Sequence, residues 1–363
     1  MRARGILPAS PAGYMIYGEP VCSLVDGEVP EAYDGMPDHA SASDPLIESA
    51  GKQLLPGSQG RTLLVALLAK GSVKVKKGSF HQWRDRRRMK PPGGRESMNR
   101  EFFIPEPRVI AHRGASDEYP ENTEPSFRRA IELGAHVIET DVHFTKDGDF
   151  VVAHDDVLDR VSDGTGKIAE RSVEEIKRLD AAYHFSTDGG QSHPWRGKGV
   201  RFMTLGEMLT AFPDRRFNID LKSKNSAQIP RYVEIIKRCD AQARVLSASE
   251  HTPNLRAVRK AFPAMATSFS LWEALWFYFL FRGGLLFLKK SFPGDVLQIP
   301  EYLGPSNIAS DALVSAAHGK GLRVHVWTIN EEKDMRRLFA AGVDGIVSDR
   351  PALLKKIVDE MRG

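Results

Sequence analysis

Cysteine is almost missing: Cys22 and Cys239 are the only two in 363 residues. One pair cannot make the disulfide framework of a small secreted domain, so a reducing compartment is the plain expectation. Long apolar runs are also lacking. The early run Leu63-Leu64-Val65-Ala66-Leu67-Leu68-Ala69 is seven residues long, starts far from the terminus and has no cleavage context, which is not the pattern of a signal peptide. A cytoplasmic location, with contact at a membrane surface, is the expectation that follows. The later run 271–288 is interrupted by Glu273, Arg282 and Gly283-Gly284, and falls short of the ~20 apolar residues a membrane span needs.

Strong charge of one sign is the third absence. The net charge is +4, and the first hundred residues carry 15 basic against 10 acidic side chains, so the remaining 263 sit at −1. A fold with that balance is no polyanion binder, and nucleic acid is excluded as the expected partner. Residues 1–107 are rich in Pro, Gly, Ser and charge, show no sustained period, and contain the basic run Arg84-Asp85-Arg86-Arg87-Arg88-Met89-Lys90. They read as a disordered extension or as the product of a start assigned too far upstream, with Met98 a sensible alternative start.

What is present begins at Val109. Short apolar runs at 109–112, 135–142, 216–221, 243–247, 264–268, 295–299, 322–328 and 345–348 alternate with amphipathic helical stretches, the pattern of βαβ units on a parallel sheet. Thr123 ahead of Pro125, and the spacings Ser172-Val173-Glu174-Glu175 and Thr204-Leu205-Gly206-Glu207, mark helix starts. Eight strands with intervening helices predict a (β/α)8 TIM barrel over 108–356, followed by a short tail at 357–363. A ninth run, 150–153, follows Lys146-Asp147-Gly148, whose Asp-Gly predicts a hairpin folded back after the second strand. The glycine-rich stretch of about 155–200 is too long for an ordinary βα loop and predicts a small insertion on the catalytic rim.

Alternation along a strand puts Glu139 and Asp141 on one face, and Asp220 and Lys222 share a face in the same way. Three carboxylates converging at the strands' C-terminal ends cannot all stay ionised without a cation, and all-oxygen ligation favours Mg²⁺, Ca²⁺ or Mn²⁺. Glu139, Asp141 and Asp220 are therefore the expected metal ligands. His112 ends the first strand and His154 ends the hairpin, so two imidazoles can reach one substrate from different sides as general acid and base. Arg113 and Lys222 add cationic donors at the same mouth.

The motifs Val109-Ile110-Ala111-His112-Arg113-Gly114-Ala115, Pro120-Glu121-Asn122-Thr123, Glu139-Thr140-Asp141 and Val151-Val152-Ala153-His154-Asp155, in this order, resemble the glycerophosphodiester phosphodiesterase family. The resemblance covers roughly 108–356. It implies a TIM barrel with a small insertion, and metal-dependent cleavage of glycerophosphodiesters to glycerol phosphate and an alcohol, or of lysophospholipids in a lysophospholipase D reaction. The attacking oxygen comes from water or from a substrate hydroxyl. Trp327 is similar to an aromatic lining the family's pocket beside the alcohol group, and Asp220 stands where the family usually has Glu. Glu121 and Asn122 are expected to hold the first loop and to orient His112 or Arg113. Two rivals stay open: a phospholipase D or sphingomyelinase D-like enzyme of the same superfamily, and an inactive lipid-binding barrel. The aromatic stretch 271–288, with Trp272, Trp276, Phe277 and Phe279, is expected to form a membrane-facing patch, and with Gln298-Ile299-Pro300 it looks similar to the branch that acts on lysophospholipids.

Overall fold

The structure is a computed structural model that describes residues 15–16, 19–20, 101–106 and 108–361. The chain divides into two compact units, 1–77 and 78–363. In the first, Met15–Ile16 and Glu19–Pro20 pair as antiparallel strands. The expectation of disorder, the basic run, Cys22, Met98 and the apolar run 63–69 otherwise lie outside the described residues.

The second unit contains β1 (Val109–His112), β2 (Val137–Phe144), β3 (Phe150–Val152), β4 (Phe217–Leu221), β5 (Val245–Ala248), β6 (Ala266–Thr267), β7 (Val296–Pro300), β8 (Arg323–Trp327) and β9 (Gly345–Ser348). Eight of them form one parallel sheet in the order β6-β5-β4-β2-β1-β9-β8-β7, and a bridge between Ser268 and Val296 joins its two ends. That near-closure makes a barrel. β3 stands outside the cycle, antiparallel to β2 with Val142 opposite Val152, as the Asp147-Gly148 turn predicts.

Around the barrel lie α1 (Glu124–Glu132), α2 (Val173–Lys177), α3 (Leu205–Ala211), α4 (Ile229–Arg238), α5 (Thr252–Ala261), α6 (Leu271–Arg282), α7 (Asp311–His318), α8 (Glu332–Ala340) and α9 (Pro351–Glu360). Two of the three expected caps form: Ser172 and Thr204 each accept from the backbone N–H three residues on, and Glu175 and Glu207 reach back, whereas Thr123 stands at the start of α1 with its hydroxyl donating to the Pro120 carbonyl at 2.6 Å. Outward-facing strand residues such as Ile138, Phe217 and Ile219 pack on α3 and α4, while Val324, Val326 and Ile346 pack on α7, α8 and α9. The inward set of Ile110, Val137, Leu246, Val296 and Val347 fills the barrel's middle.

Both expected domain edges move outward. Phe102 and Phe103, ahead of the expected boundary at 108, are buried against that inner cluster, and the Arg216 guanidinium donates to the Phe102 and Pro105 carbonyls at 2.8 and 2.7 Å. Two aromatic side chains thus plug the bottom of the barrel. At the other end, Ile357 and Val358 are buried on α9, so the helix runs through the expected tail to Glu360. The insertion has a small core of its own, in which Leu158, Ile168, Ile176 and Phe202 pack on Val151 and Ala153 of the hairpin.

The aromatic stretch corrects a further expectation. Phe277 is 1% exposed and meets Phe269 and Phe292 edge-on at ring-centroid distances of 6.2 and 5.1 Å, so it belongs to the core. Trp272 and Trp276 are exposed, Trp276 at 51%, and Trp276 stacks on Phe279 at 5.5 Å. α6 is therefore apolar on two faces, one packed on the barrel and one turned outward. Among the described residues no helix is long and apolar enough to cross a membrane.

Candidate active site

Parallel pairing fixes the site before any side chain is considered. His112 is in register with Glu139, Glu139 with Asn218, and Asp141 with Asp220, so the inward residues of β1, β2 and β4 meet at the C-terminal mouth. The hairpin then brings His154 back to that mouth. Ala153 N–H donates to the Asp141 carbonyl at 3.0 Å, and His143 Nε2 donates to the His154 carbonyl at 2.8 Å.

Each histidine is oriented by a carboxylate. His112 Nδ1 donates to Asp349 Oδ1 at 2.6 Å, and His154 Nδ1 donates to Asp155 Oδ1 at 2.7 Å. Burial would raise the Asp349 pKa, yet the hydrogen bonds from His112, Asn330 and Ser116 outweigh it and hold the carboxyl well below the usual range. For Asp155, burial likewise raises and the bonds from His154 and Arg160 prevail. Ionised carboxylates only accept, so the proton of each neutral ring sits on Nδ1 and leaves Nε2 free for proton transfer. His112 Nε2 lies 3.9 Å from Glu139 Oε2.

Arg113 occupies the left-handed region, with φ 54°, a conformation that costs a non-glycine residue roughly 1–2 kcal/mol. It aims the Arg113 N–H at Glu139 Oε2, 3.1 Å away, while the guanidinium meets Glu121 at 3.0 Å and lies 3.6 Å from Asp141. Gly114 follows with φ 91°, where an added Cβ would lie 2.3 Å from Ser126 Oγ. Only glycine fits that approach. Asn122 holds Arg113 through its backbone, with the Asn122 N–H donating to the Arg113 carbonyl at 2.9 Å. Its Nδ2 donates to Asp141 Oδ2 at 3.3 Å and its Oδ1 accepts from Thr140 Oγ1 at 2.7 Å.

The expected metal ligands fall into two groups. Lys222 Nζ stands 2.9 Å from Asp141 and 2.8 Å from Asp220, and its ammonium is held protonated because those two carboxylates outweigh burial. Among the described residues no three Asp, Glu, His or Cys side chains form a ready-made cation cluster. Glu139 has no comparable lysine. Burial first, then repulsion from Asp141, pushes it up to about 7 against the pull of His112, Arg113 and Lys222, so its ionised form is not fully compensated by those cations. Beside it in register, Asn218 has a buried side-chain oxygen with no hydrogen-bond partner. Hard oxygen donors, one carboxyl short of positive charge and one orphaned amide oxygen fit a divalent cation on the Glu139 side. Trp327 ends β8 at the mouth, half-buried against the inner cluster.

Sequence reasoning brought His112, Arg113, Glu139, Asp141, His154, Asp220 and Lys222 to one network, but it assigned no role to Asp349, Asn330, Ser116, Asp155 or Arg160. Asp155 was legible beside His154. The other supports depend on tertiary closure: Asn330 Nδ2 reaches Asp349 Oδ2 at 2.7 Å, and Ser116 Oγ reaches its Oδ1 at 2.9 Å.

Known proteins similar to this chain point to one family. The chain is 34% identical over 258 residues to a glycerophosphodiester phosphodiesterase of Caldanaerobacter subterraneus subsp. tengcongensis, covering 69% of this chain and 97% of that one. It is 27% identical over 270 residues to a lysophospholipase D of Homo sapiens, covering 68% and 84%. Its fold matches, with a TM-score of 0.58 and 27% identity over 71% of this chain and 98% of the other, the structure of an Oleispira antarctica phosphodiesterase in complex with the product sn-glycerol-3-phosphate. The profile of the glycerophosphoryl diester phosphodiesterase family matches residues 112–353, and this chain belongs to that family.

Proposed function

We propose that the protein hydrolyses glycerophosphodiesters, and lysophospholipids by the same chemistry, to a phosphate monoester and a free alcohol. The observation that carries this reading is the pair of His-Asp couples, His112-Asp349 and His154-Asp155, at one barrel mouth with cations and carboxylates between them. One imidazole takes the proton from the attacking oxygen, whether of water or of the substrate's own hydroxyl, and the other protonates the departing alkoxide. Arg113 and Lys222 offer donors to the non-bridging phosphate oxygens, where negative charge grows as the phosphorus becomes five-coordinate. Glu139 and Asp141, with Asp220 on the neighbouring strand, would hold a divalent cation, Mg²⁺, Ca²⁺ or Mn²⁺, which when bound supplies Lewis-acid polarisation of the phosphate. Trp327 offers an apolar wall for the glycerol or alcohol part.

A lipid surface is the partner favoured by α6. Its outward face carries Trp272 and Trp276, and Phe287 and Leu288 are exposed beyond its end, next to Lys289 and Lys290. The one acid in this stretch, Glu273, is turned inward onto Arg259 at 2.7 Å. An aromatic and cationic face without free acid suits anionic head groups, whereas a second copy would bring like charge against like.

The assignment is tested by replacing each histidine. His112→Ala and His154→Ala should each lower turnover of glycerophosphocholine by at least about 10², with divalent-cation affinity near that of the parent protein. Near-normal rates in both variants would remove the acid/base roles.

A further inference from the structure

We infer that Arg160 is a positioning residue that locks the two halves of the catalytic mouth together. It sits five residues beyond Asp155, in the insertion, and its guanidinium is divided between two carboxylates. Nε donates to Asp155 Oδ2 at 2.5 Å, while Nη1 and Nη2 donate to Glu121 Oε2 and Oε1 at 2.7 and 2.6 Å. Asp155 in turn accepts from His154 Nδ1, and Glu121 accepts from Arg113 Nη1 at 3.0 Å. One planar cation therefore joins the hairpin that bears a histidine to the first loop that bears a phosphate-facing arginine. The same two segments meet again where Trp195 of the insertion packs on Tyr119 at a ring-centroid distance of 5.1 Å.

The geometry requires arginine. A bidentate grip on Glu121 together with a third bond from Nε to Asp155 uses the fork on two edges, and an ammonium is a single point that cannot span both partners in fixed orientation. Without the fork, Asp155 loses the donor that fixes its free oxygen, and Glu121 loses two of its three guanidinium bonds. His154 and Arg113 would then drift independently, and displacement of reacting groups by about 1 Å is enough to cost about 10²-fold in rate. All three guanidinium nitrogens of Arg160 donate to carboxylates of the protein, which assigns it to holding protein groups and not to meeting substrate.

This inference rests on the two-histidine reading, which the histidine substitutions test separately. Arg160→Met and Arg160→Lys should each lower kcat on glycerophosphocholine by about 10–10²-fold with KM within about threefold, with little change in melting temperature. Methylguanidinium added to Arg160→Met should recover at least about fivefold, and the same additive should leave the parent enzyme and His154→Ala unmoved. A KM rise with kcat intact would mean that Arg160 binds substrate, and loss without rescue would mean a general structural role. Parent-like kcat in both variants would equally overturn the assignment. If His154→Ala keeps its activity, the catalytic reading itself fails, and the two failures are thereby told apart.

Discussion

At the scale of single residues, the site is built from short contacts that close long loops in sequence. His112 and Asp349 are 237 positions apart, and nothing near Asp349 in the chain marks it except its place just after the last strand. The histidines, the acids of β2 and Lys222 were legible because each lies in a local motif with a definite face. Their supports were legible only where they are sequence neighbours, as Asp155 is of His154. His325 is a different kind of residue: it was read simply as part of a strand, yet it is buried inside the barrel with neither ring nitrogen hydrogen-bonded. Burial lowers its pKa to about 4. The unfolded chain takes up a proton near 6.5, so the folded state binds fewer protons between those values and stability is lost as pH falls from about 6.5 toward 4. Chemical denaturation across that range should show a slope attributable to this group, at most about 3 kcal/mol in total. His325→Leu should flatten the slope and hold or raise stability at pH 5; an unchanged slope would mean that the ring is protonated in the fold.

At the scale of elements, strand count and hairpin were readable because periodicity and the Asp147-Gly148 turn are local signals. The extents of strands were less so: β6 has only two residues, and its end of the sheet is joined to β7 through the single Ser268 bridge, because loop backbone does part of the closing there. α6 shows what composition leaves undetermined. Apolar residues on all sides do not say which face the barrel takes, and the packing of Phe269 and Phe292 decides in favour of Phe277. Phe277→Ala should therefore cost about 3–5 kcal/mol of stability by leaving a core cavity. Trp276→Ser with Phe279→Ser should leave the melting temperature nearly unchanged while weakening sedimentation with phosphatidylglycerol vesicles by several-fold. Equal vesicle binding by the double variant would place the lipid contact elsewhere.

At the scale of the whole molecule, the barrel concentrates charge at one end and seals the other. Phe102 and Phe103 close the bottom, with the Arg323 guanidinium 4.0 Å from the Phe103 ring centre, while all groups named for chemistry lie at the top. That polarity was implicit in the strand pattern, but the plug was not, since two phenylalanines in a charged, proline-containing stretch carry no period. The arrangement of the three carboxylates proposed as metal ligands was the least legible part. Sequence alternation put the acids at the mouth, yet it could not show that Lys222 bridges Asp141 and Asp220 while burial and Asp141 push Glu139 up to about 7. The central claim, cation-dependent cleavage of the phosphodiester on its alcohol side, is tested most directly by identifying products. The protein should be incubated with glycerophosphocholine and with lysophosphatidylcholine, in Mg²⁺, Ca²⁺ or Mn²⁺ and in chelator, and followed by ³¹P NMR and mass spectrometry. Glycerol phosphate or its acylated form, with choline, should accumulate with at least one cation and cease in chelator; phosphocholine as the product, or turnover indifferent to chelator, would contradict the account.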